Sequence, residues 1–144
     1  MRLKSMVQQY ILSGSTLTAK LNVGLITPTG AQTTAVLPTY GTTVVIDSSL
    51  GDNFIIQVTN NTAFAVAAPT NPPASGFTKL ITVTIANGSG GAHGAITWTA
   101  GAGGFRLAGA LAAIANLNQR SIIFRWSGTV WNEIARTAAD CLTA

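Results

Sequence analysis

Ser121-Ile-Ile-Phe-Arg-Trp-Ser-Gly-Thr-Val-Trp-Asn-Glu-Ile-Ala-Arg136 is the stretch whose reading decides the fold. Two runs of β-branched and aromatic residues flank Ser127-Gly128. A tight primed turn needs positive φ, which glycine reaches at no steric cost. The pattern predicts a β-hairpin over 121–136. With a two-residue turn at Ser127-Gly128, Phe124 stands opposite Trp131, an aromatic cross-strand pair that pins the register. Arg125 and Glu133 are not directly opposed in that register.

Working back from the hairpin, β signals recur at short, fairly even spacings with turn chemistry between them. Thr78 to Ala86 alternates, with Ile81, Val83 and Ile85 on one face and Thr82 and Thr84 on the other, the pattern of a half-buried strand. Asn53 to Thr59 places Phe54, Ile56 and Val58 together. Thr42 to Asp47 is β-branched, Ala63 to Ala67 follows the Asn60-Asn61 turn, and Ala95 to Thr99 is a further strand. Pro69 to Gly76 is a loop, because its three prolines cannot donate to a ladder. Asn87 to Gly94 is glycine-rich and reads as a hairpin connection. Residues 105–117 are open between a helix and a short strand with a loop: alanine favours helix, Gly109 weakens it, and the neighbours are β. The expectation is an all-β chain, with a β-sandwich or jelly-roll-like domain over 41–144. Residues 1–40, with Pro28 and Pro38 and only one or two strand-like runs, read as an extended N-terminal arm.

At 144 residues the chain fits one domain and buries enough surface to need no disulfide or metal. Charged residues are only 8% of it, against about 25% in ordinary soluble domains, so the surface has weak electrostatic protection against association. That leaves a neutral, Thr-rich β protein, or one whose surfaces face other subunits. The net charge of +4 is uneven. Arg2, Lys4 and Lys20 precede the first acid, Asp47, and make the arm basic. They are the candidate partner-binding residues. Three scattered charges are too few for the clusters that mark nucleic-acid binding, so no direct nucleic-acid contact is expected. The single Cys141 cannot form an internal disulfide. Gln8-Gln9 breaks the apolar start, which argues against a signal peptide, and no run approaches the roughly 18 apolar residues of a membrane span.

No catalytic, cofactor or metal constellation is visible. His93 sits in the glycine-rich loop without a local nucleophile or carboxylate, and reads as a solvent or turn histidine. His93 and Cys141 form no ligand spacing. Gly88-x-Gly90-Gly91 lacks a following Lys-Ser or Lys-Thr and a helix, so it does not read as a phosphate loop. Asp47 and Asp52 flank a turn. Turn acids that bond their own backbone explain them better than a glycosidase pair does. Trp98, Trp126 and Trp131, with Phe124, suit a core or subunit interface better than a sugar platform.

From about Gly51 to Asp140 the chain resembles a type of tailed-phage structural domain. The resemblance rests on Gly51-Asp-Asn-Phe54, Val58-Thr-Asn-Asn-Thr-Ala-Phe64, the Asn71-Pro-Pro loop with Gly76, Leu80 to Asn87, Gly94 to Trp98, and the ending Arg120 to Arg136 with Asp140. It implies a β-rich, often trimeric virion protein with no catalytic residues to carry over: a head decoration or cement protein, a head fibre or a tail-fibre piece. The expected role is a capsid decoration protein on the outer surface of the virion, assembled in the bacterial cytoplasm, with the major capsid protein or other virion proteins as partners. The alternatives are a receptor-binding or adaptor module of a tail or head fibre, and a small carbohydrate-binding protein.

Overall fold

The computed structural model describes residues 35–143, and every regular element among them is a strand. In chain order these are β1 (Thr43–Val44), β2 (Asn53–Val58), β3 (Phe64–Val66), β4 (Leu80–Asn87), β5 (Ile96–Trp98), β6 (Phe105–Arg106), β7 (Asn118–Trp126), β8 (Trp131–Arg136) and β9 (Cys141–Leu142). The all-β class is what the structure shows. In the ambiguous stretch 105–117, Phe105 and Arg106 form β6, and the rest is loop without a helical turn.

The strands form two sheets. One has the order β1-β3-β5 and is parallel throughout. The other runs β2-β4-β7-β8-β6, with β9 added to β7. In this larger sheet β2 and β4 are parallel, as are β6 and β8, while β7 is antiparallel to β4, β8 and β9.

The parallel pairs follow from how the chain winds. It alternates between the sheets, and each circuit lays a strand beside the one before. On the larger sheet Val36 bridges Phe54, and Phe54 pairs with Val83. On the smaller one Thr43 pairs with Ala65, and Ala65 with Thr97. In both sheets the second step spans more of the chain than the first. Loops of different length, 67–79 and 88–95, make the circuits unequal, so the sequence has no fixed period. Asn87 to Gly94 is therefore not a hairpin connection: it carries the chain from β4 in the larger sheet to β5 in the smaller one. Glycine turn chemistry is the same for either route. Val36 and Tyr40, within the stretch read as an arm, pack against the core.

One hydrophobic cluster lies between the sheets. Val44, Ile46 and Val66 come from one side, and Phe54, Ile56, Ile81, Val83, Ile85, Ile122 and Phe124 from the other, all fully buried. The apolar alternation expected in β2 and β4 holds, but Thr84, expected on the open face of β4, is buried and bonds Ser121. Trp98, Phe105 and Phe124 form an aromatic group within this core, with centroids 4.7–5.5 Å apart.

The hairpin forms, with its turn displaced by one residue. Ser127 N–H donates to the Val130 carbonyl at 3.0 Å, so the central residues are Gly128-Thr129. Gly128 has φ 96° and Thr129 is not in the positive region, the pattern of a type II′ turn. Moving the turn centre by one residue shifts the register by two. Trp126 rather than Phe124 faces Trp131, with centroids 5.2 Å apart, and Phe124 faces Glu133. A shift of two preserves the faces, so Phe124, Trp126 and Trp131 all remain in the core.

Candidate functional site

The polar side chains converge on one segment, the alanine-rich loop 107–117. From β8, Glu133 accepts the Ala108 N–H at 2.8 Å and pairs with Arg136. Arg136 reaches on to the carbonyls of Ala110 at 3.0 Å and Gly109 at 2.9 Å. The Glu133 side chain is only 3% exposed, and the Arg136 guanidinium hydrogen-bonded to it holds its carboxyl below the usual range.

The far end of the loop is held by three further side chains. Asn87, 1% exposed at the end of β4, donates to the Ile114 carbonyl at 2.7 Å and the Gly91 carbonyl at 2.8 Å, and accepts the Ser89 N–H. His93 accepts the Ile114 N–H on Nε2 at 2.9 Å, which leaves the proton on Nδ1, 2.6 Å from the Gly94 carbonyl. The expected solvent or turn histidine is thus a turn histidine, but a buried one. Asp140 accepts the Ala115 N–H at 3.0 Å and Arg120 Nε at 2.5 Å. The Ala115 N–H is the main reason its carboxyl lies below its ordinary value.

The remaining acids also hold local structure. Asp47 accepts the backbone N–H and hydroxyl of Ser49 and the amide of Asn71, which is the turn role read from sequence. Asp52 pairs with Lys79 at 2.9 Å, and Lys79 also donates to the Ser48 carbonyl. The hydrogen bonds of Asp47 go to Ser49 and Asn71, and Asp52 forms an ion pair with Lys79. With hydrogen bonds favouring the ionised forms of Asp47, Glu133 and Asp140, these groups act as fixed acceptors at neutral pH.

Among the described residues no group of three or more His, Cys, Asp or Glu side chains could hold a metal ion, and no helix is long and apolar enough to cross a membrane. The indole N–H groups of Trp98, Trp126 and Trp131 are buried and have no acceptor among them. The candidate partner-binding residues Arg2, Lys4 and Lys20 lie outside the described residues. Sequence reading missed the clamp residues Asn87, Arg120, Arg136 and Asp140. No local signal marks them, since residues three apart in a strand, as Glu133 and Arg136 are, point to opposite faces, and they meet the loop only through the fold. Comparison of the chain with protein-family models, curated proteins and solved structures gives no match.

Proposed function

We propose that this chain is a tailed-phage virion structural protein, a trimeric capsid decoration protein that binds the major capsid shell and stabilises it. Its two sheets around one core are read as a β-sandwich whose parallel pairs depart from the antiparallel order of a jelly roll. The observation that carries the reading is how the described surface divides its charge and apolar groups. All four acids serve this chain's own loops and ion pairs. Meanwhile Leu142 is 79% exposed, Phe77 68%, Leu50 65% and Leu117 61%. Leu117 and Leu142 lie side by side where β9 joins β7, an exposed apolar pair of the kind that contacts cover on assembly. The composition around β1 supports the same reading. No charged residue lies between Ala35 and Ile46, so this stretch lacks the charges that discourage pairing with another chain.

Such a protein works mechanically. Seated across junctions of capsid subunits, each trimer adds about 25 cal/mol per Å² of apolar area buried, before association costs, and many copies act together against internal pressure. A second reading, a receptor-binding or adaptor module of a tail or head fibre, is favoured by the winding, because parallel circuits stack along an axis.

Immunogold electron microscopy of virions from the phage that encodes the chain tests both readings, with an antibody validated on the free protein. Label spread over the head is the expected result. Label at the tail or on projecting fibres selects the second reading, and unlabelled virions overturn both.

A further inference from the structure

We propose that the outer face of the six-stranded sheet carries a binding site for a carboxylated saccharide, built on Arg106, Asn132 and Arg125. Asn132 pairs in register with Arg106 on one side and Arg125 on the other, and Leu80 is the next residue beyond Arg125. Residues side by side across strands share a face. Their sequence neighbours Phe105, Trp131, Phe124 and Trp126 point into the core, so this row points outward. Two strand spacings separate the arginines, about 10 Å between Cα atoms.

Both arginines are exposed. Among the described basic residues they are the two with no described acidic partner, since Lys79, Arg120 and Arg136 have Asp52, Asp140 and Glu133. Each guanidinium offers a fork matched to a carboxylate. Asn132, between them, presents both a donor and an acceptor.

An open groove of about 540 Å³ adjoins Arg125, lined by Asp52, Thr78, Lys79, Leu80 and Thr82. That volume falls within the range of small-molecule sites, roughly 300–1,000 Å³. The Thr78 and Thr82 hydroxyls suit sugar hydroxyls, while Asp52 is engaged by Lys79. Leu80 is the one large apolar side chain in the lining, so the groove offers little to the aromatic or aliphatic anchors by which peptides bind. The lining therefore favours a polyhydroxylated acid over an acidic peptide.

The test is calorimetric titration of the full chain with a short oligogalacturonate, with a neutral maltooligosaccharide and poly-glutamate as comparisons. Saturable oligogalacturonate binding is expected, weakened roughly tenfold by Arg106→Gln and by Arg125→Gln, with unchanged circular dichroism because both side chains are exposed. The neutral sugar should bind at least about tenfold more weakly. Absence of saturable oligogalacturonate binding, binding indifferent to both substitutions, or poly-glutamate binding as tight as the sugar acid would each overturn the assignment.

Discussion

Glu133 and Arg136, three residues apart on β8, grip the same short backbone segment with opposite chemistry: the carboxylate takes the Ala108 N–H, and the guanidinium gives its hydrogens to the Gly109 and Ala110 carbonyls. Each also holds the other in place. Three consecutive loop residues are thereby tied to β8 without regular structure of their own.

Breaking this grip should cost stability. Glu133→Gln removes the charge from a side chain that is almost fully buried, and leaves Arg136 facing a neutral amide in place of a carboxylate. A loss of roughly 2 kcal/mol is expected from urea unfolding followed by tryptophan fluorescence. A double-mutant cycle with Arg136→Met should show coupling between the two. Strict additivity would mean that the ion pair is not what fixes the loop.

Acid should act on the same contacts. The carboxyls of Glu133, Asp140 and Asp47 are held low, first by Arg136, by the Ala115 N–H and by the Ser49 hydroxyl respectively. A carboxyl with a depressed folded pKa contributes fully above its unfolded value, about 4, and the contribution disappears as pH falls through the folded value. Through these three carboxyls the urea midpoint should decline below about pH 4. Glu133→Gln should make that decline shallower; a wild-type midpoint that stays level to pH 2 contradicts the account.

Two glycines should respond in opposite ways. A Cβ at Gly94 would lie 2.4 Å from the Ala63 nitrogen and 2.6 Å from the Asn61 oxygen, both backbone atoms that cannot turn aside. Gly94→Ala should therefore lower the melting temperature sharply or prevent folding. At Gly109 a Cβ meets nothing within 4 Å and φ is not positive, so Gly109→Ala should change stability by no more than about 0.5 kcal/mol. Equal effects at both positions would contradict the close approach of the Gly94 loop to Asn61–Ala63.

Asn87→Ala removes three side-chain amide hydrogen bonds and leaves the Ile114 carbonyl without this donor. A loss of about 1–3 kcal/mol is expected. Hydrogen exchange should accelerate first at Ile114 and Ala115, ahead of β4 itself. Protection that falls uniformly across the sheet would show instead that Asn87 acts on global stability.

The strands are largely legible in the sequence because their alternation is local. Phe54, Ile56 and Val58, and then Ile81, Val83 and Ile85, announce their buried faces at period two, and the core contains all six. Sheet membership is not legible. The glycine-rich run after β4 has the same composition whether it closes a hairpin or crosses to another sheet. The hairpin turn reads one residue early because Gly128 serves in either turn position, and burial survives the error because the register moves by two. The clamps on residues 107–117 are hidden for a different reason. Asn87, Arg120 and Asp140 are ordinary polar residues in sequence, and only contacts between distant parts of the chain bring Asn87 and Asp140 to the loop.

The place of β4 has a consequence for synthesis. Its partner on one side, β2, leaves the ribosome before it, but its partner on the other side, β7, begins only at Asn118, with β5, β6 and the alanine-rich loop still to be made after β4 ends at Asn87. During that interval the nascent chain carries an eight-residue strand with one edge paired and the other open. Parallel pairing over long separations is also slow to form. The growing polypeptide therefore passes through a window in which a neighbouring nascent copy can occupy the vacant edge, and the pace of translation between residues 88 and 126 governs how often the chain closes on itself.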